Sequence, residues 1–138
     1  MSVGVQQPRF LTRPAFRTSS GTDAVALAAE CGLHLEPWQQ LVVETACAER
    51  GDGKWSALEV ALVCPRQNGK GSVLEAIELA GLFLFGEELI LHSAHEFKTA
   101  QEAFRRVLQL VQSNSELESR VQRVRTSHGE EGIELRGG

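Results

Sequence analysis

The sequence predicts an α/β fold in which a parallel sheet is flanked by helices. An apolar run at residues 58–63 is typical of a central parallel strand covered on both faces. A glycine-containing loop at 65–69 and a mostly apolar helical segment at 70–85 follow it, and a second short strand is predicted at 89–91. Alternating strands and helices indicate this fold class. Only two parallel strands are identified, so the predicted sheet is incomplete.

Length and composition narrow the class of protein. The chain has 138 residues, enough for one domain, and its 42% hydrophobic and 23% charged residues are typical of a soluble globular protein. A net charge of −4 means that any contact with nucleic acid needs a local patch of Lys or Arg. The three cysteines lack C-x-x-C spacing, which argues against a zinc site or a disulfide framework. With no signal peptide or apolar span, we expect an intracellular protein that does not enter a membrane.

The first 22 residues are expected to form a flexible N-terminal arm, because prolines, serines and glycine occur there without periodicity. Its arginines, Arg9, Arg13 and Arg17, either contact a phosphate backbone or remain solvated. The remainder of the chain, residues 23–138, forms the predicted domain.

Two helices are predicted before the first strand. The first spans residues 23–31, with Thr22 or Asp23 as its N-cap and Gly32 just after its end. The second begins at Pro37, a residue favoured in the first turn of a helix. Its apolar face comprises Trp38, Leu41, Val42 and Ala46.

Three elements are predicted after the second strand. Apolar residues at helical spacing indicate an amphipathic helix over residues 97–111. Ser115 and Glu118 have the spacing of a capping box, which predicts another short helix. Residues 121–138 are typical of a hairpin with its turn at "SHGEEG".

The loop "CPRQNGKGS", residues 64–72, resembles the phosphate-binding pattern G-x-x-x-x-G-K-[S/T]. In that pattern backbone N–H groups surround phosphate oxygens, the lysine contacts the phosphates, and the hydroxyl binds Mg²⁺. Gly69 and Lys70 match it, whereas Cys64 replaces the first glycine and Gly71 the hydroxyl residue. The loop is either a nucleotide site or a turn whose lysine is solvated.

Gln39, beside Trp38, is a candidate reader of adenine. A glutamine amide can donate to and accept from the adenine edge at the same time. In the alternative interpretation, Pro37 and Trp38 only start and pack the helix, and Gln39 is solvated.

The segments "PRQNGKGSVLEAIELAGLFLFGEELILHSAHEFKTAQEAF" and "LEPWQQLVV" resemble the large subunit of tailed-bacteriophage terminases, from about Leu33 to the C-terminus. The resemblance implies an ASCE-type P-loop ATPase domain, followed in the family by an RNase-H-like nuclease domain. It implies a DNA-packaging motor in the cytoplasm of a bacterial host. Its partners would be double-stranded DNA, the portal protein and the terminase small subunit, and its subunits would form a homo-oligomeric ring.

The resemblance also implies roles for individual residues. Lys70 would bind the β- and γ-phosphates of ATP, and Arg66 would act as an arginine finger in cis. Gln39 would read the adenine, Ser72 or a water would replace the Mg²⁺ ligand missing at Gly71, and the segment 93–104 would couple to DNA or to other motifs. The implied nucleotide-binding set is Gln39, Pro65, Arg66, Gln67, Asn68, Gly69, Lys70, Gly71 and Ser72.

Two features of the family are missing from this sequence. No apolar run ends in Asp-Glu, the Walker B pair, and no nuclease carboxylate cluster is identified. We therefore expect the N-terminal portion of the ATPase domain, from a truncated or split motor that turns over negligible ATP by itself. The alternatives are a non-catalytic nucleotide- or DNA-binding module and an inactive prophage remnant.

Overall fold

The computed structural model describes residues 4–65 and 67–137 as a mixed α/β structure. Within these residues, five helices accompany two antiparallel pairs of short strands, β1 with β2 and β3 with β4. The elements are β1 (Thr18–Ser19), α1 (Gly21–Glu30), α2 (Pro37–Ala46), β2 (Ala48–Glu49), α3 (Lys70–Phe83), α4 (Phe97–Gln112), α5 (Ser115–Ser119), β3 (Val121–Arg125) and β4 (Gly132–Leu135). The α/β class predicted from the sequence is confirmed at this level.

Helix α3 is the central element, because it contributes to both apolar clusters. One cluster joins it to α1 and α2, and its buried members are Ala24, Ala28, Leu35, Val43, Cys47, Val73, Ala76 and Ala80. The other joins it to α1, α4 and α5, and its buried members are Leu27, Cys31, Leu79, Phe83, Val107, Val111 and Leu117. This burial agrees with the mostly apolar sequence of the segment, because a helix that is apolar nearly all round is typically buried.

Helix α1 begins at Gly21, before the predicted start, so Thr22 and Asp23 lie inside the helix and the predicted cap is wrong. The preceding serines fix this start from outside the helix. The Ser19 hydroxyl donates to the carbonyl oxygen of Glu44 on α2 at 2.6 Å. At Gly21 itself, an added Cβ would lie 2.4 Å from the Glu44 Cα, so only glycine lets the two backbones approach this closely.

The two predicted parallel strands do not form a sheet in this structure. Within the described part of the chain, no backbone–backbone hydrogen bond involves residues 57–64 or 88–95. A strand is defined by a neighbour that pairs with its N–H and C=O groups, and neither segment has one here. The segments at 58–63 and 89–91 therefore have no ladder within the described residues, and a parallel sheet is not shown there.

The same segments expose large apolar side chains. Leu58 is fully exposed, and Val63, Leu89 and Leu91 are 95%, 73% and 83% exposed. In the second segment the middle residue points inward: Ile90 packs so closely on Gly81 that a Cβ there would lie 2.6 Å from the Ile90 Cδ1. In the first segment only Leu62 packs against the core, and the other residues of 58–63 are exposed.

The C-terminal part follows the predicted order with one change. Helix α4 and the hairpin of β3 and β4 are confirmed. Helix α5 is capped by Asn114 and not by Ser115, because the Asn114 Oδ1 accepts from the N–H groups of Glu116 and Leu117 at 3.1 and 3.2 Å. Asparagine is among the best N-caps, and it satisfies two donors that would otherwise have no partner.

None of the helices in residues 4–65 and 67–137 combines the length and the apolar composition that a membrane crossing requires.

Replacing Gly21 by alanine should lower the free energy of unfolding by about 1–3 kcal/mol, the usual cost of overpacking a tight contact. The added methyl would clash with the α2 backbone, which cannot move aside as a flexible side chain can. Urea unfolding followed by circular dichroism measures the effect. Gly51→Ala is the matched control, because a Cβ there meets only the Arg17 side chain at an ordinary 3.7 Å. Equal stability of the two variants would contradict the proposed close contact.

Candidate functional site

The predicted phosphate-binding loop ends at Gly69, which immediately precedes helix α3. Gly69 has a left-handed conformation, with φ 91° and ψ 20°. An L side chain is disfavoured there, and an added Cβ would also lie 2.6 Å from the Gln39 Nε2. Gln67 has a positive φ of 57°, a conformation that non-glycine residues seldom adopt. The loop therefore makes two unusual turns within three residues.

The N-terminus of α3 is open. Gly69 is its N-cap residue, and no side chain caps the first turn. The first N–H groups of a helix have no partner within the helix, and they form a positive end that attracts anions. A 14-residue helix that begins from a glycine loop with its end uncapped has the arrangement of a phosphate site.

The Lys70 side chain folds back over the loop. Its Nζ donates to the carbonyl oxygen of Cys64 at 3.3 Å. The side chain of Lys70, at the end of the loop, thereby contacts the residue at the beginning of the loop. A phosphate oxygen is a stronger partner for an ammonium than a neutral carbonyl oxygen is. A bound phosphate would therefore displace the Cys64 carbonyl as the partner of Lys70. Arg66, the proposed arginine finger, lies outside the residues that the structure describes.

Gln39 is buried, with only 7% of its surface exposed, so the alternative of a solvated glutamine is wrong. Its Oε1 accepts from the Glu36 N–H at 2.8 Å, and its Nε2 donates to the carbonyl oxygen of Gly69 at 2.9 Å. The side chain thereby joins the start of α2 to the predicted phosphate-binding loop. The sequence carried a signal for half of this arrangement, because Glu36 and Gln39 have the spacing of a capping box.

An ion pair between a buried carboxylate and an exposed guanidinium lies next to the loop and was not predicted from the sequence. Glu75, on the second turn of α3, is 4% exposed, and its Oε1 lies 2.8 Å from the Arg106 Nε on α4. The Arg106 Nη1 would be 3.8 Å from a Cβ built on Gly71, so the guanidinium lies beside the first turn of α3. The sequence signal for this ion pair was Glu75 itself, an acidic residue in a mostly apolar helix. A second pair, Glu78 with His92, lies one turn further along.

Burial raises the pKa of the Glu75 carboxyl above its ordinary value of 4.5, and this effect outweighs the opposing attraction of Arg106. The Glu78 carboxylate raises that pKa further, and His92 lowers it. Removing an ionised carboxylate from water is unfavourable even when a cation is near, which accounts for the direction.

A cavity of about 850 Å³ adjoins the loop at Cys64, Pro65 and Asn68. Its other walls are α2, including Trp38, the extended segment before the loop, and residues 4–14 of the arm. This volume is within the range of small-molecule sites. The cavity is large enough for a nucleoside and opens beside the candidate phosphate site.

The arm is attached to the start of α2 along this cavity. The Gln6 Oε1 accepts from the Trp38 N–H at 3.2 Å. Two arm arginines lie over neighbouring rings, Arg9 at 5.2 Å from the centroid of Phe10 and Arg13 at 4.9 Å from that of Phe16. Contact of these arginines with DNA stays a prediction.

The remaining predicted residues belong to the loop and to the first turn of α3. Pro65, Gln67 and Asn68 are exposed, and Ser72 is half-buried on the first turn of α3. Among the residues that the structure describes, no group of three or more His, Cys, Asp or Glu side chains is arranged to hold a metal ion.

Compared with models of protein families, with curated proteins and with solved structures, the chain shows no match.

Replacing Glu75 by glutamine should make the protein relatively more stable as the pH rises. A carboxyl with a raised pKa in the folded state contributes stability below its unfolded pKa, and that contribution is lost as the pH rises through the folded value. The free energy of unfolding of Glu75→Gln, relative to the wild type, should therefore increase from about pH 4.5 upward.

Urea unfolding at a series of pH values from 4 to 8 measures this difference. Glu102→Gln, a change at an exposed carboxylate on α4, is the matched control. A difference that stays constant over the range would contradict the pKa direction, and one that falls with pH would mean that the attraction of Arg106 dominates.

Proposed function

We propose that this chain is the ATP-binding portion of a viral DNA-packaging motor of the terminase large-subunit type, in a truncated or split form. The observation that carries the proposal is the phosphate loop. Left-handed Gly69 leads into the uncapped N-terminus of α3, and the Lys70 ammonium lies back over the loop. These features together provide N–H donors, a positive helix end and a cation for a triphosphate.

The triphosphate would replace the Cys64 carbonyl as the partner of Lys70. The loop N–H groups and the first turn of α3 would surround the β- and γ-phosphates, and the exposed residues Pro65, Gln67 and Asn68 would shape the rim. Arg66 would approach the γ-phosphate as an arginine finger. The ligand is anionic, and the contacts offered to it are charge-assisted, the stronger class of hydrogen bond.

Mg²⁺ accompanies the nucleotide in this proposal. It would neutralise the phosphate charge that develops during transfer. Ser72, on the first turn of α3, or a water would take the place of the hydroxyl that Gly71 lacks. The Lys70 and Ser72 side chains then act on the same phosphates from one helical turn.

The adenosine would lie in the cavity beside Trp38. Gln39 follows Trp38 in the chain and contacts the loop, and its amide retains one N–H and one acceptor lone pair after its two protein contacts. These remaining groups are of the types that match the adenine edge. Gln39 is therefore the proposed base-reading residue.

The proposal includes an ASCE-type parallel sheet that further strands complete. Residues 58–63 run directly into the loop, and their unpaired backbone and exposed Leu58 and Val63 suit a strand with neighbours. Double-stranded DNA, the portal protein, the small subunit and sister subunits in a ring are the proposed partners, in the cytoplasm of a bacterial host.

A second candidate is a nucleotide- or DNA-binding module without catalysis. Gly71 favours it, because the residue that normally binds Mg²⁺ has no side chain here. The two candidates share the site and differ in whether it belongs to a packaging motor, and both expect negligible turnover from this chain by itself.

Lys70→Ala should weaken ATP binding by roughly tenfold or more, because a hydrogen bond to a charged group contributes about 1.5–3 kcal/mol. Titration calorimetry with wild type and variant measures the change. Lys98→Ala, at an exposed lysine on α4, removes the same charge away from the loop and should bind as the wild type does. Equal affinities of wild type and Lys70→Ala would mean that the loop is not the site.

The purified chain should hydrolyse ATP at a negligible rate. It contains no apolar run followed by Asp-Glu, the pair that orients the attacking water and holds Mg²⁺. Phosphate release with and without Mg²⁺ tests this expectation. Turnover that requires Mg²⁺ and disappears in Lys70→Ala would contradict it and would favour a complete catalytic site over both candidates.

A further inference from the structure

Gln39 holds two backbone groups that belong to different parts of the site. The acceptor end of its amide binds the N–H of Glu36 at 2.8 Å, and the donor end binds the carbonyl of Gly69 at 2.9 Å. The side chain is 7% exposed, so water competes little for either contact. The two bonds fix the amide between α2 and the loop.

The bond to Gly69 has a consequence for the next residue. The carbonyl of Gly69 and the N–H of Lys70 belong to one planar trans peptide unit, so they point in opposite directions. While Gln39 holds the carbonyl, the Lys70 N–H is directed away from Gln39. If the unit rotated, the carbonyl oxygen would take the place of that N–H and would repel an anion.

Apart from the first turn of α3, which begins at Lys70, the loop has little other support for this orientation. Gly69 is in the left-handed region, at φ 91°, and glycine has the greatest backbone freedom of any residue. No side chain caps the start of α3. The glycine also leaves the space that the Gln39 amide occupies, since a Cβ would lie 2.6 Å from the Gln39 Nε2.

We propose that Gln39 is a positioning residue for phosphate: by holding the Gly69 carbonyl, it keeps the Lys70 N–H available to the phosphate chain of any nucleotide. The inference rests on the proposed nucleotide-binding function and extends it. Gln39 then acts on the triphosphate through the backbone and not only on the base. It also links occupancy of the phosphate site to the start of α2.

The test replaces Gln39 by methionine, which keeps the length and volume of the side chain and removes both hydrogen bonds. The probes are ATP, GTP and inorganic tripolyphosphate, which has no base. Gln40→Met is the matched control, because the Gln40 Nε2 donates to the Leu35 carbonyl at 2.9 Å on the same helix but does not contact the loop.

We expect Gln39→Met to weaken the binding of all three probes by a similar factor, roughly two- to tenfold for one hydrogen bond. Gln40→Met should bind all three as the wild type does. Thermal unfolding of both variants, measured in parallel, shows that each is folded at the temperature of the titrations.

Two results would overturn the inference. Weaker binding of ATP alone, with tripolyphosphate unchanged, would assign Gln39 to base reading only. Equal losses in Gln39→Met and Gln40→Met would indicate a general effect of perturbing α2.

Hydrogen exchange separates this inference from the proposed function. If the wild type binds none of the probes, the nucleotide proposal fails, and exchange at the Lys70 and Gly71 amides then decides the role of Gln39. Faster exchange there in Gln39→Met than in Gln40→Met supports the positioning role, because the loop has lost its fixed orientation. Equal exchange in the two variants rejects it.

Discussion

Burial of helix α3 is the constraint on which the rest of the structure depends. Its apolar residues pack with α1 and α2 in one cluster and with α1, α4 and α5 in the other, so α3, like α1, joins both clusters. Leu79 is completely buried, and the small side chains of Ala76 and Ala80 let neighbouring helices approach closely. Because the helix is fixed along its length, its N-terminus is a fixed point, and the loop that ends at Gly69 is attached to it.

Two polar contacts orient the start of α3 within this apolar frame. Gln39 reaches the loop from α2, and Arg106 reaches the first turn from α4 through its pair with Glu75. This ion pair adds little net stability, since burial removes Glu75 from water while the Arg106 side chain, 57% exposed, is screened by solvent. The raised pKa of Glu75 agrees with this balance. We infer that these contacts specify the geometry of the loop more than they stabilise the fold.

The extended segments on either side of α3 differ from this packed frame. Their inner side chains, such as Ile90, lie against the helix, whereas Leu58, Val63 and Leu91 are exposed. Unpaired strands with apolar side chains readily pair with other strands, so these segments are where we expect association. In the proposed motor, that association would build the parallel sheet behind the phosphate loop and would fix the loop from the strand side as well as from the helix side.

The sequence by itself determined the elements that depend on local chemistry. Helical spacing identified α3 and α4, Pro37 marked the start of α2, and the Gly69–Lys70 pair marked the junction of loop and helix. Only the tertiary structure decided which side chains meet. The contact of Gln39 with the loop joins residues that are 30 positions apart, and a strand needs a neighbour that its own sequence does not specify. The periodicity of a sequence shows which side of a segment avoids water, but it does not show which other residues will cover that side. The partners of Gln39 and of residues 58–63 are set by those other residues, and only the tertiary structure identifies them.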